Sequence, residues 1–196
     1  MAIPNVTRGG LRSARFLAAG TATRIVLTPL VMALILIPDD GDDTAALAAA
    51  LFAVAAATDW IDGRLARRWN VTSKLGSFLD TTADKLLVSG VLVALLAEER
   101  VSPWIVALIV AREFVLMGLR GLIASEGEVM APSTLGKLKT SIQFLAIALA
   151  ILRPGDPVGG HYVDEWAMLL AAAITIWSAA DYIVRALPAL TQGDRA

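Results

Sequence analysis

The stretch DWIDGRLARRWNVTSKLGSFLDTTADK, residues 59–85, decides the fold because it places four aspartates where two apolar segments meet. On a helix of about 3.6 residues per turn, Asp59 and Asp62 share one face, and Asp80 and Asp84 share a face of the next helix. Consecutive antiparallel helices with a short link can bring such faces together. The stretch therefore predicts a helical hairpin on which four carboxylates converge near a membrane surface.

The four converging carboxylates predict bound divalent metal. Like charges at close range repel one another, and carboxylates are costly within a membrane, so a hard cation would relieve both costs. The chain has no cysteine, and its single histidine, His161, lies in a Gly/Pro-rich loop where an ordinary exposed residue is expected. Carboxylate oxygens alone favour Mg²⁺, Mn²⁺ or Ca²⁺. Two ions about 3.5–4 Å apart would suit displacement at a phosphate-bearing substrate.

Small residues lie beside the acids, and they leave space for a nucleotide or a pyrophosphate. They are Gly63, Ala66 and Gly76, and the planar donor fork of Arg67 suits bidentate contact with a phosphate. The alternative is that the acids pair with neighbouring basic residues in a solvated rim, while the small residues only allow close helix packing. The basic residues of that rim would be Arg64, Arg67, Arg68, Lys74 and Lys85.

Apolar residues make up 57% of the 196-residue chain, above the roughly 45–50% of soluble domains. A membrane-spanning helix needs about 20 predominantly apolar residues. Six segments approach that length, and their charged ends are tolerable where a helix end faces a polar cavity. They are Thr21–Ile37, Thr44–Ile61, Thr82–Leu96, Pro103–Ile123, Thr140–Leu152 and Glu165–Leu187. We therefore expect an all-α membrane protein with six transmembrane helices.

The connections between these segments alternate in charge, which predicts their orientation. Basic residues cluster before the first segment and after the second, fourth and sixth, and the positive-inside rule makes these ends cytoplasmic. The opposite connections, such as Asp39–Asp43, are acidic or sparsely charged. Both termini and the acidic cluster are therefore predicted on the cytoplasmic side of the cell membrane. The 17 basic and 18 acidic residues nearly balance, which gives no sign of a nucleic-acid partner.

The length of the chain favours one domain, residues 1–196. Within its N-terminal segment, residues 1–19, arginines alternate with Leu, Phe and Ala. Such a pattern is typical of a helix that lies along the cytoplasmic interface, although a frayed polar tail is the alternative.

The acidic stretch resembles the signature of the CDP-alcohol phosphotransferase family. That signature reads D-x-x-D-G-x-x-A-R, then eight residues, then G-x-x-x-D-x-x-x-D, and this chain meets it at every specified position. The matching residues are Asp59, Asp62, Gly63, Ala66, Arg67, Gly76, Asp80 and Asp84. Eight specified residues over 26 positions are a far more specific signal than a lone glycine motif. A cation transporter, the alternative from another class, would not explain Gly63 or Arg67 at these spacings.

The resemblance implies a six-helix membrane fold, commonly a homodimer, and assigns roles to individual residues. Asp59, Asp62 and Asp80 correspond to metal ligands, for Mg²⁺ or Mn²⁺ and for two ions. Asp84 corresponds to the general base that removes the acceptor's hydroxyl proton, with a contact to one metal as a further role. Gly63, Ala66, Arg67, Ser73 and Gly76 correspond to the part that holds the CDP-lipid.

Flanking residues narrow the expected substrates. Motifs such as Ala111–Glu113 and Gly136–Thr140 are most similar to those of family members that transfer a phosphatidyl group from CDP-diacylglycerol to glycerol 3-phosphate. Inositol phosphate, or phosphatidylglycerol in cardiolipin synthesis, remains the alternative acceptor. A phosphorylated acceptor needs cationic ligands, and four residues at predicted cytoplasmic helix ends are candidates: Arg112, Arg120, Lys137 and Lys139. The alternatives are that Arg112 pairs with Glu113 or an aspartate and that the lysines only set topology.

Overall fold

The computed structural model describes residues 8–37, 42–69, 74–125, 134–157 and 159–193. Within these residues all six elements are α-helices, which confirms the all-helical prediction. They are α1 (Arg8–Leu36), α2 (Asp42–Trp69), α3 (Lys74–Ala97), α4 (Pro103–Ser125), α5 (Thr134–Leu152) and α6 (Val163–Gly193).

Each predicted apolar segment lies almost entirely within one helix, but several helices extend beyond it. The largest extensions are at the N-terminal end of α1 and where α2 approaches α3. The N-terminal segment is helical from Arg8, yet no break separates it from the first apolar segment. Ala18, Ala19 and Gly20 form the junction, and neither alanine nor a single glycine interrupts the helix there. Residues 8–19 are thus helical as expected, and their position along the interface stays a prediction.

The chain divides into two compact units, residues 1–94 and 95–196, with the division near the end of α3. In the first unit α1 packs along α2. Alanines such as Ala48 and Ala55 are fully buried on α2, and their small side chains allow the close approach that helices need where lipid replaces water. All three helices contribute to the core, with Val31, Phe52 and Leu87 among its buried residues.

A second close approach joins α1 and α3 at Gly90. A Cβ atom at this position would lie 2.9 Å from Met32 Sδ and 3.0 Å from Thr28 Cγ2. Such distances are shorter than van der Waals contact, so only glycine fits without movement of its neighbours. The absence of a side chain at Gly90 therefore sets how closely α1 approaches α3.

In the second unit α6 packs against both α4 and α5. A small apolar cluster on α4 and α6 includes Leu116, Ile123 and Tyr182. The loop before α4 is attached to the end of α5 by Arg100, whose Nη1 donates a hydrogen bond to the carbonyl of Ile151 at 2.7 Å. That contact satisfies a terminal carbonyl that has no partner within its own helix.

Two segments within the described residues are long and apolar enough to cross a membrane, Ala19–Leu36 in α1 and Val163–Leu187 in α6. The α4 helix is longer than the first of these, yet it carries Arg112, Glu113 and Arg120. Its 23 residues span about 34 Å at 1.5 Å per residue, enough for a hydrocarbon core of about 30 Å. The α4 helix therefore differs from the two apolar segments in its charged residues and not in its length.

Candidate active site

The acidic face of α3 is the described part of the predicted site. Gly76, Asp80 and Asp84 follow one another at intervals of four residues on an uninterrupted helix, so they lie along one face as predicted. Gly76 is exposed, and the side chains of Asp80 and Asp84 are 38% and 19% exposed. Two carboxylates are therefore available at the surface of the first unit, one helical turn apart.

Asp80 is held by two residues of α1. Arg24 Nη2 donates a hydrogen bond to Asp80 Oδ1 at 2.6 Å, and Thr21 Oγ1 donates to the same oxygen at 3.4 Å. Arg24 is fully buried and Thr21 is buried, although both lie in the apolar segment of α1. A carboxylate of the predicted metal site is thus tied to a cation from another helix.

Asp84 has a different partner. Lys85 Nζ donates to Asp84 Oδ2 at 2.8 Å, and both side chains are partly exposed. This contact between chain neighbours is one of the pairs expected if the acids formed a solvated rim. It leaves Asp84 linked to a flexible side chain rather than to a buried one.

The acids of α2 lie on a helix that continues to Trp69, so Asp59, Asp62, Gly63 and Ala66 occupy helical positions as predicted. Their side chains and that of Arg67 lie outside the described part of the structure, and Ser73 lies in the undescribed link 70–73. No group of three or more Asp, Glu, His or Cys side chains forms a metal site among the described side chains, which include those of only two of the four predicted acids. The convergence of all four carboxylates therefore stays a prediction.

The residues on α3 fit a hard divalent cation by their donor chemistry. Asp80 and Asp84 offer only oxygen, and each is partly exposed. The single histidine is committed elsewhere, because its Nδ1 lies 2.6 Å from Glu165 Oε2, and it is exposed as predicted. Oxygen donors without imidazole or thiolate suit Mg²⁺ or Mn²⁺.

Two of the four predicted acceptor residues meet in the second unit around Glu113. Arg112 Nη1 donates to Glu113 Oε1 at 3.1 Å, and Lys139 Nζ donates to the same oxygen. Arg112 also donates from Nη2 to Ser178 Oγ at 2.6 Å, so residues of α4, α5 and α6 are joined. Glu113 and Lys139 are each only 4% exposed. The alternative proposed for Arg112, a pair with Glu113, is thus present.

The other two predicted acceptor residues do not join this cluster in the described structure. The guanidinium carbon of Arg120 lies 5.2 Å from the centroid of the Tyr182 ring, a cation–π distance, and the residue is exposed. The side chain of Lys137 lies outside the described residues.

A family model described as CDP-alcohol phosphatidyltransferase matches residues 18–177, which include all four aspartates of the signature. The chain belongs to the CDP-alcohol phosphatidyltransferase family. The resemblance noted in the acidic signature is thereby confirmed. Because phosphatidyltransferases are enzymes, the chain is an enzyme of this type.

Curated relatives of this family share most of the chain's length. A "CDP-diacylglycerol--glycerol-3-phosphate 3-phosphatidyltransferase" of Bacillus subtilis (strain 168) is 38% identical over 182 residues, which are 87% of this chain and 94% of the relative. A protein of the same name from Escherichia coli (strain K12) is 38% identical over 168 residues, 83% of this chain and 90% of the relative. Another from Sodalis glossinidius is 43% identical over 143 residues, 70% of this chain and 77% of the relative.

One residue at the site of this phosphatidyltransferase was not predicted from the sequence. Arg24 lies inside the first apolar segment, where a buried charge is expensive and therefore points to a partner or a role. The same reasoning singled out Arg112 and could have singled out Arg24. Its partner was harder to predict, because Asp80 lies 56 residues away in the chain.

Proposed function

We propose that the protein transfers the phosphatidyl group of CDP-diacylglycerol to sn-glycerol 3-phosphate, giving phosphatidylglycerophosphate and CMP in phospholipid biosynthesis. The observation that carries the proposal is the similarity along 87% of the chain to a relative named for this reaction. The complete acidic signature, from Asp59 to Asp84, lies inside the matched region. The names of the relatives thus support the proposed acceptor, and the residues of the acidic signature support the proposed transfer chemistry.

Asp59, Asp62 and Asp80, with a further contact from Asp84, are proposed to hold divalent metal, Mg²⁺ or Mn²⁺ and two ions. When bound, such ions neutralise negative charge on the pyrophosphate of the CDP-lipid. The carboxylates on α3 support this assignment, because they lie on one face and are partly exposed. Four converging carboxylates repel one another, and divalent cations would offset that repulsion more fully than Arg24 and Lys85 alone.

Asp84 is proposed as the general base. The acceptor hydroxyl gives its proton to the Asp84 carboxylate, its oxygen forms a bond to the phosphorus next to diacylglycerol, and the bond from that phosphorus to the CMP oxygen breaks. A carboxylate can serve as this base, since the hydroxyl needs only partial deprotonation as it attacks. The contact with Lys85 is compatible with this role, because a partly exposed lysine on a flexible stem can release the carboxylate at modest cost.

The CDP part of the lipid is proposed to lie against the small residues of the signature, Gly63, Ala66 and Gly76, with Arg67 and Ser73 contacting its phosphates. Gly76 supports this placement, because it is exposed on the same face of α3 as Asp80 and presents no side chain. Any larger residue there would occupy space beside the carboxylates.

Arg112, Arg120, Lys137 and Lys139 are proposed to bind the phosphate of the acceptor. The cluster around Glu113 supports phosphate binding by Arg112 and Lys139. These two cations share one carboxylate, so the three side chains together carry a net positive charge. A phosphate has several acceptor oxygens and can engage both cations at once. Glu113 then holds the two cations in place when no acceptor is bound.

The arrangement in the membrane is also proposed. Apolar helices and membership of a membrane-enzyme family support a membrane protein. We infer that all six helices span the cell membrane, that both termini and the active site are cytoplasmic, and that residues 1–196 act as one domain, as a homodimer. The distribution of arginine and lysine among the connections supports the orientation.

The test is an acceptor panel with purified protein in detergent or nanodiscs. CDP-diacylglycerol and Mg²⁺ are supplied with glycerol 3-phosphate, inositol phosphate, phosphatidylglycerol or glycerol, and CMP release and the lipid product are measured. We expect turnover with glycerol 3-phosphate and its loss when EDTA removes the metal. The matched arm without phosphate, glycerol, reports the contribution of the acceptor phosphate. CMP release with another acceptor but not with glycerol 3-phosphate would refute the proposed acceptor.

A further inference from the structure

Thr21 and Arg24 lie one helical turn apart on α1 and contact the same carboxylate oxygen of α3. Arg24 Nη2 lies 2.6 Å and Thr21 Oγ1 3.4 Å from Asp80 Oδ1. Arg24 also reaches the main chain of Asp80, with Nη1 at 3.5 Å from its carbonyl oxygen. The guanidinium therefore contacts both the side chain and the backbone of one residue, which restricts how the carboxylate can turn.

The burial of Arg24 makes this contact specific. Its side chain is 0% exposed, whereas that of Asp80 is 38% exposed. A charge buried within an apolar helix needs a close opposite charge, because its desolvation is not otherwise compensated. Arg24 is therefore held inside the first unit, where it meets Asp80, while part of the Asp80 carboxylate still faces outward.

The two oxygens of Asp80 differ in their surroundings. Oδ1 accepts from both Thr21 and Arg24, and no hydrogen bond to Oδ2 occurs within the described residues. A carboxylate whose one oxygen is held by a hydrogen-bonded partner presents the other in a set direction. Such partners orient metal ligands in many sites, and their loss typically weakens metal binding about 10–100-fold.

We propose that Thr21 and Arg24, which we call the α1 clamp, are positioning residues that hold Asp80 Oδ1 and direct Oδ2 toward the divalent cation. This inference rests on the proposed function, in which Asp80 is a metal ligand. The clamp touches neither the CDP-lipid nor the acceptor; it acts through Asp80. It makes the first helix, which contains no residue of the acidic signature, part of the metal site.

The test measures Mn²⁺ affinity of the purified full chain by electron paramagnetic resonance, without substrate. Arg24→Met is expected to weaken Mn²⁺ binding by about 10–100-fold. Arg24→Lys, which keeps the charge but loses the fork, is expected to lie between Arg24→Met and the wild type. Thr21→Val, which removes the long hydrogen bond to Asp80, is expected to weaken binding about two- to tenfold.

Thr28→Val is the matched control for Thr21→Val. Thr28 is also a buried threonine of α1, but its hydroxyl donates to the carbonyl of Arg24 at 2.8 Å and is not among the groups that contact Asp80. Its Mn²⁺ affinity is expected to stay within twofold of the wild type. Equal Mn²⁺ affinities for Thr21→Val, Thr28→Val and the wild type would overturn the clamp, even if Arg24→Met failed to fold.

A second comparison separates positioning from general support of the fold. If Thr21 acts through Asp80, then Thr21→Val introduced into an Asp80→Asn protein causes no further loss of Mn²⁺ affinity. If Thr21 only supported the fold, Thr21→Val would lower the unfolding temperature of the metal-free protein. Its Mn²⁺ affinity would then equal that of its parent, both in the wild type and in Asp80→Asn. An equal loss with and without Asp80→Asn would also overturn the inference.

The outcome is independent of the acceptor panel. A wild-type protein that binds Mn²⁺ but releases no CMP would refute the proposed function, and the variant affinities would still judge the clamp. An active wild type whose clamp variants all bind Mn²⁺ normally would refute the clamp and leave the proposed function intact.

Discussion

At the scale of single residues, the two carboxylates of α3 have unequal surroundings. Asp80 is fixed by a fully buried arginine from another helix, whereas Asp84 contacts only the partly exposed lysine that follows it, among the described residues. A metal ligand benefits from a fixed direction, and a base must be free to meet its substrate. The difference in partners agrees with separate roles for the two acids.

Asp84→Asn is expected to abolish phosphatidyl transfer while largely retaining metal-dependent binding of CDP-diacylglycerol. The amide cannot accept the hydroxyl proton, but the ligands proposed on Asp59, Asp62 and Asp80 remain. Asp62→Asn, the matched carboxylate-to-amide change on α2, is expected to lose both. CMP release and binding of radiolabelled CDP-diacylglycerol with and without Mg²⁺ measure the two effects. Equal binding defects in both variants would contradict separate roles.

Glu113→Ala is expected to destabilise the protein by about 3 kcal/mol or more, because it removes the carboxylate between two cations and Lys139 is only 4% exposed. The double variant Glu113→Ala/Lys139→Met, which removes the buried lysine charge as well, is expected to recover part of the loss. Unfolding temperature in detergent is the measurement. Glu98→Ala, at an exposed glutamate, serves as the control and is expected to change little. An unchanged unfolding temperature in Glu113→Ala would show that the cluster does not contribute to the stability of the protein.

At the scale of elements, the six helices could be predicted because their apolar runs are long, but their ends could not. Thr44–Ile61 stops at the first acids, whereas α2 continues to Trp69, and Thr82–Leu96 begins eight residues after α3 does at Lys74. A hydropathy pattern stops at the first charged residues, even where the helix continues. Arginine, leucine and alanine nevertheless favour a helix, so α2 continues past Asp59 and Asp62 to Trp69.

Packing between helices was the part that sequence periodicity could not predict. The faces of α2 and α3 follow from spacing alone, which is why the candidate acids were found. The contact of α1 with α3 depends on how two helices approach each other, and the residues that make it, Arg24 and Asp80, are separated by 56 positions. Spacing within one helix carries no information about such a pair.

Gly90→Ala is expected to destabilise the contact between α1 and α3. The new Cβ would lie 2.9 Å from Met32 Sδ and 3.0 Å from Thr28 Cγ2, so both neighbours must move. Gly118→Ala on α4 is the matched control, because nothing lies within 4 Å of a Cβ there and alanine favours a helix by about 0.5–1 kcal/mol. We expect the unfolding temperature to fall in the first variant and to rise or stay constant in the second. A rise in both would mean that the contact is not tight.

At the scale of the whole molecule, the surface is strongly apolar. Trp104, Trp177 and Val26 are among the large apolar side chains left exposed, at 83%, 70% and 67%. In water such a surface would be a liability, but against lipid it needs no cover. Arg24, Glu113 and Lys139, three charges within the helices, are buried and paired instead. Few of the described helices are therefore apolar along a full membrane-spanning length, although more of them are long enough to cross a membrane.

The six-span topology can be tested directly because the chain contains no cysteine. Ser102 and Ser125 lie just before and at the end of α4, and both are exposed. The charge distribution predicts Ser102 outside and Ser125 in the cytoplasm. Ser102→Cys is expected to react with a membrane-impermeant maleimide in intact cells or spheroplasts. Ser125→Cys is expected to react only after permeabilisation, and activity of each variant checks that it is folded. Labelling of both variants from the same side would mean that α4 does not cross the membrane. The reverse pattern would place the active site outside, where cytoplasmic CDP-diacylglycerol and glycerol 3-phosphate could not reach it.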